Sequence, residues 1–85
     1  MIQKEITVNL KQGLHARPAT RFVKQAAAFG SQIQIIKKDQ KADAKSILGI
    51  MSMAVSRGET ITLTADGEDE QEAIKALEQI LLEEE

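Results

Sequence analysis

The sequence predicts an α+β protein, a two-layer open-faced sandwich in which an antiparallel sheet carries helices on one face. Two patterns lead to this prediction. Some short stretches alternate apolar and polar residues, and some longer stretches repeat apolar residues every three or four positions. A strand with one apolar face needs cover on that face only, and amphipathic helices can supply it. The 85 residues suffice for a single domain, residues 1–85, with one modest core.

Four strands are predicted, three of them from clear alternation. Residues 2–10, 32–36 and 60–65 alternate with the period of a half-buried strand. Their apolar positions, which we expect to face the core, are Ile2, Ile6, Val8, Leu10, Ile33, Ile35, Ile61, Leu63 and Ala65. Residues 41–44 follow a polar turn and form a weaker fourth strand.

The first and last predicted helices are amphipathic. Residues 18–29 repeat apolar side chains at helical spacing, and Gly30 stands where a left-handed cap residue would end the helix. Near the C-terminus, Asp69 with Glu72 three residues later resembles a capping box. The apolar stripe that follows comprises Ile74, Leu77, Ile80 and Leu81.

The middle segment, residues 46–55, is not assigned by periodicity alone. Ser46 is a favourable N-cap residue and the polar residues 56–59 supply a stop, so a short helix is predicted. The predicted order is therefore β-α-β-β-α-β-α.

The charge is distributed unevenly along the chain. Residues 1–67 hold ten Lys and Arg against five Asp and Glu, whereas residues 68–85 hold one Lys against eight acids. A basic body favours anionic partners. Nucleic acid is one such partner, but two Phe with no Tyr or Trp leave few platforms for base stacking, so direct nucleic-acid binding is not expected.

Other classes of function find little support in the composition. The chain has no Cys and one His, so no conventional metal site is expected. No apolar run approaches the roughly 20 residues that span a bilayer, and the N-terminus lacks a signal-peptide pattern. A cytoplasmic protein without membrane insertion is predicted.

One cluster, "GLHARPAT" at residues 13–20, joins the only His to an Arg and the only Pro. Pro18 suits the first turn of a helix, so His15, Ala16 and Arg17 lie at or just before a helix start. Backbone N–H groups there form a ready anion site, and Arg17 adds a fork of donors matched to phosphate oxygens. No nucleotide cradle accompanies them. The cluster could accept and release a phosphoryl group, or it could be an ordinary loop before a helix.

A second cluster, "AKSILGIMSMAV" at residues 44–55, has a similar layout. Ser46 is either a plain N-cap or a phosphorylation site, since a dianion is tolerated at a helix start. One short helix cannot bury five apolar residues on one side. We therefore expect Ile47, Leu48 or Met51 to face solvent as a docking patch.

With both motifs in register over a full domain, the chain resembles HPr, the histidine-containing phosphocarrier family of the bacterial phosphoenolpyruvate-dependent sugar phosphotransferase system. The resemblance implies a sheet order β1-β4-β2-β3, with the strands numbered along the chain. It implies a covalent phosphoryl carrier rather than an independent enzyme, and no cofactor.

The resemblance also implies roles for individual residues. His15 would take a phosphoryl group on Nδ1 from phospho-enzyme I and pass it to EIIA domains, with Ala16, Arg17 and Pro18 around the phosphate. Ser46 would be modified by HPr kinase/phosphorylase, and the phosphoserine form would act in catabolite repression through a CcpA-type repressor. The implied docking residues are Thr20, Lys24, Ile47, Leu48 and Met51.

Two departures from the family pattern bear on these roles. Gln12 stands where many members have a small hydroxyl residue, so that phosphate contact is not carried over. Ala44, Ala54 and residues 67–73 are similar to Crh, a regulatory paralogue that typically has Gln in place of the phosphorylated His. The alternative to a phosphocarrier is therefore a Crh-like protein acting mainly through phospho-Ser46.

Overall fold

The computed structural model describes residues 1–83 and has seven elements in the order β-α-β-β-α-β-α. The strands are Ile2–Thr7 (β1), Gln32–Lys37 (β2), Gln40–Asp43 (β3) and Thr60–Asp66 (β4). The helices are Ala16–Ala27 (α1), Ile47–Ser52 (α2) and Glu70–Leu82 (α3). The weak fourth strand and the short middle helix predicted from the sequence are both confirmed.

The four strands form one antiparallel sheet in the order β1-β4-β2-β3. This confirms the predicted fold class and the order that the resemblance implied. The register places Ile6 opposite Ile61 and Ile35 opposite Leu63. Since side chains alternate along a strand, these apolar residues share the face that the helices cover.

The core lies between that face and the helices. Every side chain that the strands direct inward at Ile6, Ile33, Ile35, Ile61, Leu63 and Ala65 is buried. From the other layer, α1 contributes Phe22, α2 contributes Ile50 and α3 contributes Leu77 and Leu81, all fully buried. Burying one such side chain is worth about 1.5–3 kcal/mol, so this interdigitated layer is the main source of stability.

The predicted limits of the first helix are wrong at both ends. The helix begins at Ala16, and Pro18 is compatible with its third position because a backbone N–H there would have no intrahelical acceptor. It ends at Ala27, and Gly30 is not in a left-handed conformation. Instead, the N–H groups of Ala28 and Phe29 close the last turn on carbonyls three residues earlier, at 3.1 and 3.2 Å.

The predicted capping box of the last helix is also wrong. Asp69 is the N-cap residue of α3, but its carboxylate makes no cap hydrogen bond. It accepts instead from the Ser31 hydroxyl and from the N–H groups of Gly30 (2.9 Å) and Ser31 (3.0 Å). The Ser31 hydroxyl, followed by the Gly30 N–H, holds the pKa of Asp69 below its usual value. This residue therefore ties the start of α3 to the loop between α1 and β2.

No helix within residues 1–83 is long and apolar enough to cross a membrane.

Candidate functional site

His15 is the N-cap residue of α1. Its backbone is extended, with φ −81° and ψ −174°, and its carbonyl accepts the first helical hydrogen bond from the Ala19 N–H at 2.9 Å. The imidazole makes no cap hydrogen bond and is half-buried. The backbone therefore places His15 at the helix start, while its ring nitrogens are not used to cap the helix.

The first turn of α1 offers backbone N–H donors and contains no acidic residue. Ala16 and Arg17 occupy the first two helical positions, where backbone N–H groups have no intrahelical acceptor, and no acidic residue lies in this turn. Pro18 is buried and has no N–H, so its contribution is to helix geometry. The Thr20 hydroxyl donates back to the Ala16 carbonyl at 2.8 Å. The helix start thus carries a partial positive charge beside His15.

An open pocket of about 210 Å³ lies at this position, lined by Lys11, Gln12, His15 and Arg17. Three of these four side chains carry basic groups. Lys11 was not among the residues predicted from the sequence, and the only signal for it was its place just before the histidine motif. Gln12 lines the same pocket, and its side-chain amide carries N–H donors.

The loop that carries His15 rests on the segment between α2 and β4. The Leu14 N–H donates to the Val55 carbonyl at 2.9 Å, and the Gly13 N–H donates to the Leu10 carbonyl at 3.0 Å. Gly13 has φ +70°, and a Cβ there would overlap the Val55 carbonyl oxygen and lie 2.8 Å from Ser56 Cα. Only glycine fits this close crossing of two backbones.

Ser46 is the N-cap residue of α2 and does not line the histidine pocket. Its hydroxyl accepts from the Gly49 N–H at 3.1 Å, and its own N–H donates to the Asp43 carbonyl at 3.0 Å. The residue is half-buried at the helix start. This is the geometry of a structural cap, and it leaves the hydroxyl oxygen beside a helix N-terminus, where an added phosphate is tolerated.

The apolar side chains that follow Ser46 divide between the core and the surface. Ile50 and Met53 are buried, whereas Ile47, Leu48 and Met51 are 39%, 80% and 41% exposed. The expected exposure of these three residues is confirmed. We call them the α2 patch. Thr20 and Lys24, the remaining predicted docking residues, are exposed on α1, which packs against α2.

A family model for the PTS HPr component phosphorylation site matches residues 2–83. The chain belongs to the HPr family. The HPr-like protein Crh of Halalkalibacterium halodurans is 53% identical to it over 77 residues, covering 91% of this chain and 92% of the relative. The phosphocarrier protein HPr of Haemophilus influenzae is 42% identical over 77 residues, covering 91% of each chain.

A solved HPr structure is also similar. The crystal structure of HPr-C-His from Thermoanaerobacter tengcongensis has a TM-score of 0.92 and 51% identity, and the match covers 95% of this chain and 91% of the other. This HPr-family chain therefore has two clusters at helix starts. In one, a histidine lies in a basic pocket at the start of α1, and in the other, a serine caps α2. Within residues 1–83, no group of three or more acidic or histidine side chains could hold a metal ion.

Proposed function

We propose that this HPr-family chain is a covalent phosphoryl carrier, with His15 as the acceptor. The Nδ1 lone pair attacks phosphorus, the new N–P bond forms, and the bond between phosphorus and enzyme I breaks. An EIIA domain then removes the phosphoryl group by the reverse of this chemistry. The observation that carries the proposal is the pocket in which His15 lies beside Arg17 and Lys11 at a helix start that has no acid.

The basic pocket suits both acceptance and release. Guanidinium and ammonium groups, with the Ala16 and Arg17 N–H groups, neutralise the phosphoryl oxygens as they approach. The pocket is open, so a partner can cover it and withdraw. The α2 patch, with Thr20 and Lys24, would supply the apolar and cationic contacts for enzyme I and EIIA, and a cytoplasmic location fits these partners.

Labelling with phosphoenolpyruvate and enzyme I tests the carrier role. We expect an acid-labile phosphoryl group on the parent and on Ser46→Ala, and none on His15→Ala. Arg17→Gln should still be labelled but lose its phosphate to water several-fold faster. If the folded parent takes no label under conditions that label an HPr of established activity, the proposal is wrong.

We further propose that Ser46 is a regulatory phosphorylation site for an HPr kinase/phosphorylase, and that the phosphoserine form binds a CcpA-type repressor. The hydroxyl lies at a helix start beside the exposed α2 patch, so a dianion there would change the charge of that surface without removing the helix. We expect acid-stable labelling from ATP that is lost in Ser46→Ala.

The two modifications should oppose each other if both use the α2 patch. A negative charge at residue 46 would repel an acidic partner surface, so Ser46→Asp should be labelled on His15 more slowly than the parent. Ser52→Asp, which adds the same charge at the exposed end of α2, is the matched control and should slow labelling less. Equal rates for the parent and Ser46→Asp would contradict this antagonism.

A Crh-like regulatory role is the second candidate, favoured by the 53% and 52% identity to two Crh proteins. It predicts that His15→Gln leaves ATP-dependent labelling and repressor binding unchanged, and that kinase treatment strengthens repressor binding. Kinase-treated protein that binds the repressor no better than untreated protein would exclude it.

A further inference from the structure

The Lys37 ammonium, at the end of β2, is enclosed by three acceptors. Its Nζ atom lies 2.9 Å from the Met53 carbonyl oxygen, 3.0 Å from the Ala54 carbonyl oxygen and 3.0 Å from Glu59 Oε1. Its side chain is only 14% exposed. A lysine ammonium has three protons, so these acceptors can use all of its donors.

The segment from Met53 to Glu59 closes around this cation. Glu59 Oε1 also accepts from the Ser56 N–H at 2.7 Å, and this bond, followed by the one to Lys37, holds the pKa of Glu59 below its usual value. Ala54 has φ +51°, in the left-handed region that disfavours a residue with a Cβ. Such a conformation persists only where the surroundings hold it, and the ammonium holds the Ala54 carbonyl directly.

The opposite side of the same segment supports the histidine loop. The Val55 carbonyl, one residue after Ala54, is the acceptor for the Leu14 N–H, and Gly13 crosses Val55 and Ser56 at the contact that excludes a side chain. Leu14 directly precedes His15. Three consecutive carbonyls therefore bind in two directions: those of residues 53 and 54 bind the ammonium, and that of residue 55 binds the backbone next to the imidazole.

We propose that Lys37, together with Glu59, is a positioning residue of the phosphoryl site, which sets the Val55 carbonyl and through it the position of His15. The expected effect on phosphoryl transfer rests on the proposed carrier function, whereas the expected effect on the position of the histidine loop does not. Lys37 does not line the pocket, so its proposed effect on His15 passes through residues 53–55. Met53 is also the C-cap residue of α2, so the same cation fixes the end of the helix that Ser46 begins.

The test compares Lys37→Met, which keeps an unbranched side chain one atom shorter and removes its charge, with Lys41→Met on the exposed strand β3. In Lys37→Met we expect the Leu14 amide to exchange with solvent at least tenfold faster and the His15 imidazole NMR resonances to move. For phosphoryl transfer from phospho-enzyme I, kcat should fall several-fold and by a larger factor than KM rises, because His15 is displaced while every docking side chain on α1 and α2 keeps its identity. Lys41→Met should match the parent in all three measurements.

Two more variants keep the test decisive. Lys37→Arg restores a cation and should recover part of kcat. Glu59→Gln retains Lys37 and its two carbonyl bonds, and should shift the same resonances by less, which provides a readout if Lys37→Met does not fold. A folded Lys37→Met in which Leu14 exchange changes but the His15 resonances and kcat do not would overturn the proposal. Absence of any labelling in the parent would refute the carrier function alone, because exchange and NMR would still decide the role of Lys37.

Discussion

At the scale of single residues, Gly13 is the position where the histidine loop tolerates least change. Its φ of +70° and its contact with the Val55 carbonyl each exclude a side chain. We predict that Gly13→Ala destabilises the protein by about 2 kcal/mol or more, measured by urea unfolding, because conformational strain and steric overlap add. Labelling of His15 should fall in the same variant, since the overlap displaces the loop that carries it.

Two other glycines allow the cost of backbone strain to be measured apart from the cost of steric overlap. Gly58 has φ +88°, but a methyl group added there would meet no atom within 4 Å, so Gly58→Ala should cost about 1 kcal/mol through strain alone. Gly30 has neither a left-handed φ nor a close neighbour, and Gly30→Ala should be nearly neutral. If Gly13→Ala were no worse than Gly58→Ala, the crossing of Gly13 over Val55 and Ser56 would not be a tight contact.

At the scale of elements, α2 is a six-residue helix that depends on its ends. The Ser46 hydroxyl satisfies the Gly49 N–H at the start, and Lys37 binds the carbonyls of Met53 and Ala54 after the last turn. Isolated helices of this length are not stable in water, so its caps and packing maintain it.

Removal of the Ser46 hydroxyl should therefore reduce stability. We predict a loss of about 1 kcal/mol for Ser46→Ala in urea unfolding, because the Gly49 N–H loses its acceptor. Ser46→Asp should retain most of that stability, since its carboxylate can accept the same bond at the positive end of the helix. Ser52→Ala, which removes an exposed hydroxyl from the other end of α2, should be close to neutral. Equal losses for both alanine variants would argue against the capping role.

The elements also differ in how well the sequence predicts them. Alternation located three strands, the polar turn after β2 pointed to the fourth, and the capping serine located α2, because all three signals are local. The predicted start of α1 is two residues late. Backbone N–H groups in the first turn of a helix have no intrahelical acceptor, so Pro18 is compatible with any position in that turn and does not identify the first one. The capping box at Asp69 fails for a different reason. Its carboxylate binds Gly30 and Ser31, which lie 39 and 38 positions earlier, and no local pattern indicates such a partner.

At the scale of the whole molecule, the contacts that complete the site are long-range. The sequence predicts Lys37 only as part of the polar turn before residues 41–44, yet the fold encloses its ammonium between the carbonyls of Met53 and Ala54, directly before the residue that binds the histidine loop. Lys11 joins the pocket because the loop after β1 returns toward the start of α1. Periodicity predicts the layers of the fold and the motifs predict His15 and Ser46, whereas the sheet order came only from the family resemblance.

The acid sensitivity of the fold follows from two of these long-range contacts. Asp69 and Glu59 both have pKa values held below their usual range, so the unfolded chain binds more protons than the folded one as the pH falls. Their stabilisation is complete above the unfolded pKa values, near pH ~4, and is lost as the pH falls through the lower folded values. We predict that Asp69→Asn melts at a lower temperature than the parent at pH 7, and that the difference closes below about pH 4. Asp39→Asn, in the exposed turn between β2 and β3, is the control and should track the parent throughout. A gap between Asp69→Asn and the parent that stayed constant down to about pH 2 would show that the Asp69 carboxylate charge does not tie α3 to the loop before β2.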